Sequence, residues 1–172
     1  MSSKNIIAEG YVEWAKIFES NFDDNMDFHE ATQGQYNLNF YPDDPADLFD
    51  NGFPEEKRGI SMLKQGNPTL GTGAYVKLKR PVFNQYLTNS DGEKGKLMNP
   101  PVTLDYTNGK SDKVWDEKEQ GRLGNGTKVK VLINAYSGRA PIETLERVAV
   151  LEQVIFEDDD GEASEAGGNL SF

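Results

Sequence analysis

Thr127 to Tyr136 reads TKVKVLINAY, and a turn at Ser137 to Pro141 leads into Glu146 to Phe156, ERVAVLEQVIF. The first stretch alternates strictly. Thr127, Val129, Val131, Ile133 and Ala135 fall on one face, and Lys128, Lys130, Leu132, Asn134 and Tyr136 on the other. A period of two rich in β-branched residues is the signature of a strand with one face buried. The second stretch is dense in strand formers and returns the chain, so the pair predicts an antiparallel hairpin near the end of the folded body.

Upstream the same period recurs. Ile6 to Phe18 (IIAEGYVEWAKIF) predicts a long strand with a bulge at Gly10. Gln35 to Tyr41 (QYNLNFY) sets Tyr36, Leu38 and Phe40 against Gln35, Asn37, Asn39 and Tyr41. In Ala74 to Arg80 (AYVKLKR), Val76 and Leu78 oppose Tyr75, Lys77 and Lys79, and Pro81 stops the run. Val82 to Leu87 carries Phe83 and Tyr86, a turn follows at Asn89 to Gly95, and Val102 to Tyr106 predicts another strand. Asp43 to Asp50 (DDPADLFD) has the aspartate and early proline of a helix start, ended at Gly52. Asn21 to Gly34, Glu55 to Thr72 and the stretch around Trp115 read as loops. Five or six strands with one or two short helices predict an all-β Greek-key barrel or sandwich.

The chain has 172 residues, which suits one domain, residues 1–156, and a tail, residues 157–172. The tail, EDDDGEASEAGGNLSF, holds six acids and no Lys or Arg, and too little apolar surface to offset chain entropy, so disorder is expected. Zero cysteines exclude disulfides and thiolate metal sites and fit a cytoplasmic protein. Met1 to Gly10 does not read as a secretion signal, and the longest apolar run is far short of a membrane span.

Net charge is −11, but its distribution is uneven. Residues 1–56 carry −11, residues 57–139 carry +8, and the tail carries −6. Association follows the local field, so a basic middle segment inside an acidic chain leaves polyanions open as partners.

Enzyme motifs fail one by one. Asp23-x-Asn25-x-Asp27 imitates a calcium loop, but its sixth position is Phe28 and its twelfth Gly34. Leu70 to Ala74 and Gly121 to Thr127 are glycine-rich without the Gly-Lys-Ser/Thr of a P-loop. His29 is the single histidine, which removes multi-histidine metal sites. The expectation is a protein that is not an enzyme and takes no metal or cofactor.

What remains is cations interleaved with rings: Tyr75, Lys77 and Lys79 in one strand, Lys128, Lys130 and Tyr136 in another. Arg80, Phe83 and Tyr86 follow the first directly, and Lys94, Lys96, Arg122 and Arg139 lie in neighbouring loops. Single-stranded nucleic acid needs this mixture, because cations track phosphates and flat rings stack on unpaired bases. The expectation is that Lys77, Lys79, Lys128 and Lys130 converge on one groove, with Trp14 and Trp115 as further stacking candidates. The competing expectation is a structural or adaptor β-sandwich whose acidic tail is a docking peptide.

Gly124 to Phe156 resembles the final hairpin of the single-stranded DNA-binding proteins of short-tailed bacteriophages: a glycine-led KVK strand ending in tyrosine, an apolar return strand ending in phenylalanine, then an acidic tail tipped with phenylalanine. Lys77 to Phe83 (KLKRPVF) is similar to a basic strand of related phage proteins. The resemblance implies an OB-fold core, single-stranded DNA binding in phage replication, recombination and repair, and a cytoplasmic location in the infected host cell. It also implies a tail whose Asp158, Asp159, Asp160 and Phe172 recruit a DNA polymerase and a helicase-primase, and a homodimer. One departure is Ala166 to Ser171, which separates the last acid from Phe172.

Overall fold

The computed structural model describes residues 2–109, 113–137 and 142–155. Five long or medium strands do most of the work. β1 (Ser2–Lys16) is followed by α1 (Met26–His29), the short turn Glu30–Thr32 and β2 (Gln35–Pro42). Then come α2 (Ala46–Phe49) and three two-residue strands: β3 (Glu56–Lys57), β4 (Ile60–Ser61) and β5 (Lys64–Gln65). β6 (Ala74–Pro81) leads into a separate hairpin of β7 (Phe83–Thr88) and β8 (Lys94–Leu97). β9 (Val102–Asp105), β10 (Lys113–Val114), α3 (Glu117–Gln120), β11 (Thr127–Ser137) and β12 (Ile142–Glu152) complete the described chain.

The all-β class read from the sequence holds. Among the described residues, eight strands form one sheet in the order β10-β9-β12-β11-β1-β2-β6-β5. The sheet curls until β12 lies against β6, where Arg80 meets Glu146 at 3.4 Å. Among the described residues this junction has no backbone ladder. The circuit β1-β2-β6-β12-β11 is that of a partly open five-stranded Greek-key barrel, the OB type. β9 runs parallel beside β12 and widens the sheet beyond the circuit.

The alternation dictates the interior. Ile6, Ala8 and Val12 of β1, Leu38 and Phe40 of β2, Val76 and Leu78 of β6, and Val129, Val131 and Ile133 of β11 are all buried in one core. On β12, Leu132 faces Arg147 and Ile133 faces Leu145, leaving Glu146 as an extra residue. That bulge sets both Leu145 and Val148 into the core and puts Glu146 within reach of Arg80.

Four local expectations are corrected. Gly10 is not a bulge: its pairing with Val129 and Pro42 is continuous. A Cβ there would stand 2.1 Å from the Tyr41 carbonyl oxygen, so glycine serves close backbone approach. The irregularity lies between Glu13 and Lys16, around Trp14. Asn21 to Gly34 is not plain loop, since Asn25 caps α1 by accepting the Asp27 N–H at 3.0 Å. Trp115 is not a surface ring; it is buried in the core, and its indole N–H donates to the Gly121 carbonyl at 2.8 Å. The return strand also starts at Ile142, four residues before the expected Glu146, because Glu143 and Thr144 already pair with Ala135 and Asn134.

Replacing Gly10 with Ala should destabilise the protein by about 1–3 kcal/mol, as overpacking does. Urea unfolding followed by circular dichroism checks it, and an unchanged midpoint would contradict the close-approach account.

Candidate nucleic-acid interface

On β6, Val76 and Leu78 enter the core, so Lys77 and Lys79 are exposed on the outer surface. Cross-strand register extends that surface. Lys77 pairs with Asn39, and Lys79 with Asn37. Asn39 in turn pairs with Glu13, and Asn37 with Lys16. Among the described residues, no carboxylate lies within ion-pair distance of Lys77 or Lys79.

The hairpin β7–β8 stands at the end of β6 and leans on the Glu30–Thr32 turn. Between them lies a concavity lined by Thr32, Gln35, Lys57, Lys79, Phe83 and Tyr86, among others. A second concavity, with Lys4 and Tyr136 in its wall, shares Lys57 and Glu143 with the first. Lys57 and Glu143 form an ion pair at 2.7 Å on that shared boundary. Lys79 sits close enough to Lys57 and Lys77 to feel them. Partial burial, then the two neighbouring ammonium groups, push its pKa below the ordinary lysine value, against the smaller opposing pull of Glu143. Three cations therefore gather on this face.

The rings divide into packed and free. Tyr86 is 75% exposed. Phe83 is half-buried, its ring laid over Gly95, where a Cβ would come within 2.4 Å of the ring. Gly95 has φ 105, which with that ring explains the glycine inside β8. Tyr75 is half-buried against Tyr41, ring centroids 5.4 Å apart. Tyr41 is itself buried; its hydroxyl donates to Glu13 at 2.7 Å and accepts the Asn67 N–H at 2.9 Å. Tyr75 thus already has a ring partner within the fold.

The other expected cations lie elsewhere. Lys128 and Lys130 are on β11, with β1 and β2 between them and β6, so roughly 14 Å of sheet separates the two lysine pairs. Lys128 is held by Asp43 at 2.7 Å, with the Tyr11 ring 4.5 Å beneath its ammonium. Desolvation alone would lower its pKa, but Asp43 and Tyr11 outweigh it and raise the value. Lys130 faces Glu9 at 3.9 Å. The four-lysine groove expected from the sequence is not formed. The reason is β1, which enters the sheet between β2 and β11 and brings its own carboxylates.

Arg80 is a structural tie. Its Nε–H donates to the Asn99 carbonyl at 2.7 Å and its guanidinium meets Glu146. Arg122 is tied likewise, to Glu117 at 3.1 Å. Lys94 and Lys96 are exposed on strand β8, where the sequence reads loops, because residues 94 and 96 pair with Thr88 and Asn84 of β7. Arg139, Asp158, Asp159, Asp160 and Phe172 lie outside the described residues. Sequence reasoning missed Lys16 and Lys57, which sit in acidic or irregular surroundings, and Phe28, which is 80% exposed on α1. An aromatic in a polar loop (DNMDFHE) was the available signal for Phe28.

Among the described residues, no cluster of three or more His, Cys, Asp or Glu could hold a metal ion. Nor is any described helix long and apolar enough to cross a membrane.

No family model matches the chain, and no curated protein matches it. Among solved structures, the chain shares its fold with the single-stranded DNA-binding protein from bacteriophage Enc34: TM-score 0.52, 10% identity, covering 92% of this chain and 87% of that one. The same phage protein in complex with single-stranded DNA aligns with TM-score 0.53 and 12% identity, covering 88% of each chain.

The distinction between tying and exposed cations can be measured. Arg80→Ala should cost about 1 kcal/mol of stability, because it removes a charged donor from the Asn99 carbonyl and breaks the ion pair with Glu146. Lys77→Ala should stay within about 0.5 kcal/mol of the parent. Equal losses in chemical denaturation would contradict this division.

Proposed function

We propose that the chain is a non-enzymatic, sequence-independent single-stranded DNA-binding protein of a bacteriophage. The observation that carries this reading is the β2–β6 face. Lys57, Lys77 and Lys79 gather there beside Phe83 and Tyr86. In OB folds the face of the second and third strands, with its flanking loops, is where oligonucleotides bind. β2 and β6 hold those places in the circuit. The likeness to a protein solved with single-stranded DNA supports the same assignment.

Chemically, lysines would follow the phosphates while exposed rings take unpaired bases, each stack contributing about 1–3 kcal/mol whatever the base. A protein that binds melted strands in preference to duplex destabilises the duplex by mass action, without ATP. That is the activity required in replication, recombination and repair. The acidic tail would compete with DNA for the basic face and, once displaced, present Phe172 and the acids to a polymerase or helicase-primase. A homodimer belongs to the same reading. The adaptor alternative as a two-sheet sandwich is not favoured, since the core strands belong to one curled sheet.

Binding to a labelled thirty-residue oligo-dT, followed by anisotropy across a salt series, tests the proposal. Affinity should fall with salt, with a slope of about −0.7 per phosphate neutralised. The double change Lys77→Ala, Lys79→Ala should shrink that slope by about one to one and a half. The Lys128→Ala, Lys130→Ala pair, already matched to carboxylates, should change it less. No salt-dependent binding, or the reverse ranking of the two pairs, would sink the assignment of this face. Deleting residues 157–172 should tighten binding.

A pH dependence follows from Lys79. Its lowered pKa means that it loses its charge earlier than an ordinary lysine as pH rises. Phosphate favours the charged form, so binding takes up a proton and affinity declines as pH climbs toward that lowered value. Lys79→Arg stays charged and should flatten the decline; an identical pH profile would contradict the role of Lys79.

A further inference from the structure

Trp14 combines three observations that do not ordinarily occur together. Its φ is 53, in the left-handed region that glycine favours and a bulky side chain avoids. It lies at the bulge of β1, where Trp14 and Ala15 together oppose Leu38, and the left-handed seat of such a bulge is normally a glycine's. Its ring is nevertheless 62% exposed, so core packing does not explain why tryptophan occupies the place.

The strain is held from outside. The Trp14 N–H donates to Asn125 Oδ1 at 2.8 Å, and the Gly126 N–H donates to the Val12 carbonyl at 2.8 Å. Both partners come from the glycine-rich stretch Gly121 to Thr127, which is no phosphate loop but a brace for this bulge. A strained residue persists only where surrounding structure over-determines it, and such residues cluster at binding sites.

The bulge is in register with the candidate interface. Glu13, on one side of Trp14, aligns through Asn39 with Lys77, and Lys16, on the other, aligns through Asn37 with Lys79. Two strand spacings, roughly 10 Å, separate β1 from β6. A chain crossing β6, β2 and β1 at this register would meet the lysines and then the segment 13–16 that carries the exposed Trp14.

We infer that Trp14 is a base-stacking platform of the single-stranded nucleic-acid site, held out by the bulge at the expense of local backbone strain. This rests on the proposed function and adds to it a residue and a direction of travel across the strands. The ligand chemistry is an unpaired base, because an exposed indole offers a wide π-face that stacks on any base, against a single N–H for a phosphate.

The test uses the full chain and tryptophan fluorescence. Trp115 is buried and bonded, so a DNA-dependent signal reports Trp14. Oligo-dT of thirty residues should quench the emission, and an abasic oligomer of the same length should not. Trp14→Phe should abolish the quenching and keep affinity within about threefold, since a ring remains. Trp14→Gly should weaken binding by about five- to a hundredfold, the loss of one stacked base. The same variant should raise the melting temperature, because glycine takes the left-handed conformation without penalty. Opposite signs in affinity and stability would not arise from a merely structural tryptophan. If the parent binds oligo-dT with the expected salt dependence but Trp14→Gly stays within twofold of it, or emission is unchanged at saturation, this inference falls alone. If the parent shows no salt-dependent binding, the underlying reading falls with it.

Discussion

The structure depends on where β1 lies. It is the strand that pairs with both neighbours, with β11 through residues 2–12 and with β2 through residues 10–16, so it joins the first half of the circuit to the second. Its inward residues, Ile6, Ala8 and Val12, meet side chains from both halves. The junction is tight enough at Gly10 that the neighbouring backbone at Tyr41 occupies the space a methyl group would need. Few sequences satisfy that constraint, and it sets the spacing of everything on the outer surface.

Its electrostatic consequence is a division of the basic segment. A net +8 over residues 57–139 reads as a single patch along the chain, but β1 and the turn after β2 intervene with Glu9, Glu13 and Asp43. Lys128 and Lys130 are matched to two of these carboxylates, as a solvated strand pair commonly is. Lys77 and Lys79 are separated from that acidic strip by β2, make no ion pair with it, and Lys79 has Lys57 as a neighbour instead. An acidic protein can in this way keep a cationic spot: Asp43 and Glu9 answer Lys128 and Lys130, Glu143 answers Lys57, and Lys77 and Lys79 have no ion-pair partner among the described residues.

What was legible in the sequence was whatever depends on period two. The inward and outward sets of β2, β6 and β11 were readable because a buried face must repeat every second residue. The short helix after Asp44 was readable because Asp44 Oδ1 accepts the Ala46 N–H, a local signal. What depends on pairing partners was not. Nothing in TKVKVLINAY tells which strand will lie beside it, so the lysines of two well-read strands were placed together when β1 and β2 separate them. Lys57 comes to the face from the irregular stretch before β6, through contacts with Glu143 far along the chain. The misplacement of the bulge has the same origin. Glycine is the usual sign of a bulge, and here Gly10 answers a steric demand while a tryptophan takes the conformation glycine prefers.

That exchange bears on how such a face would hold a polyanion. With few unmatched cations on the β2–β6 surface, phosphate contacts alone supply a shallow, salt-sensitive attraction. Rings compensate without adding charge, and their contribution survives salt. Tyr75 and Phe83 have already found partners, in Tyr41 and over Gly95. The rings left for bases are those that fold packing does not absorb: Tyr86 on its hairpin, Phe28 on α1 and Trp14 on its bulge, all more than half exposed. They flank the lysines from three directions: the hairpin after β6, the loop between β1 and β2, and β1 itself. A face built so would grip a strand by its bases at the margins and by its phosphates at the centre. That arrangement suits a chain whose total charge opposes the partner it is proposed to bind.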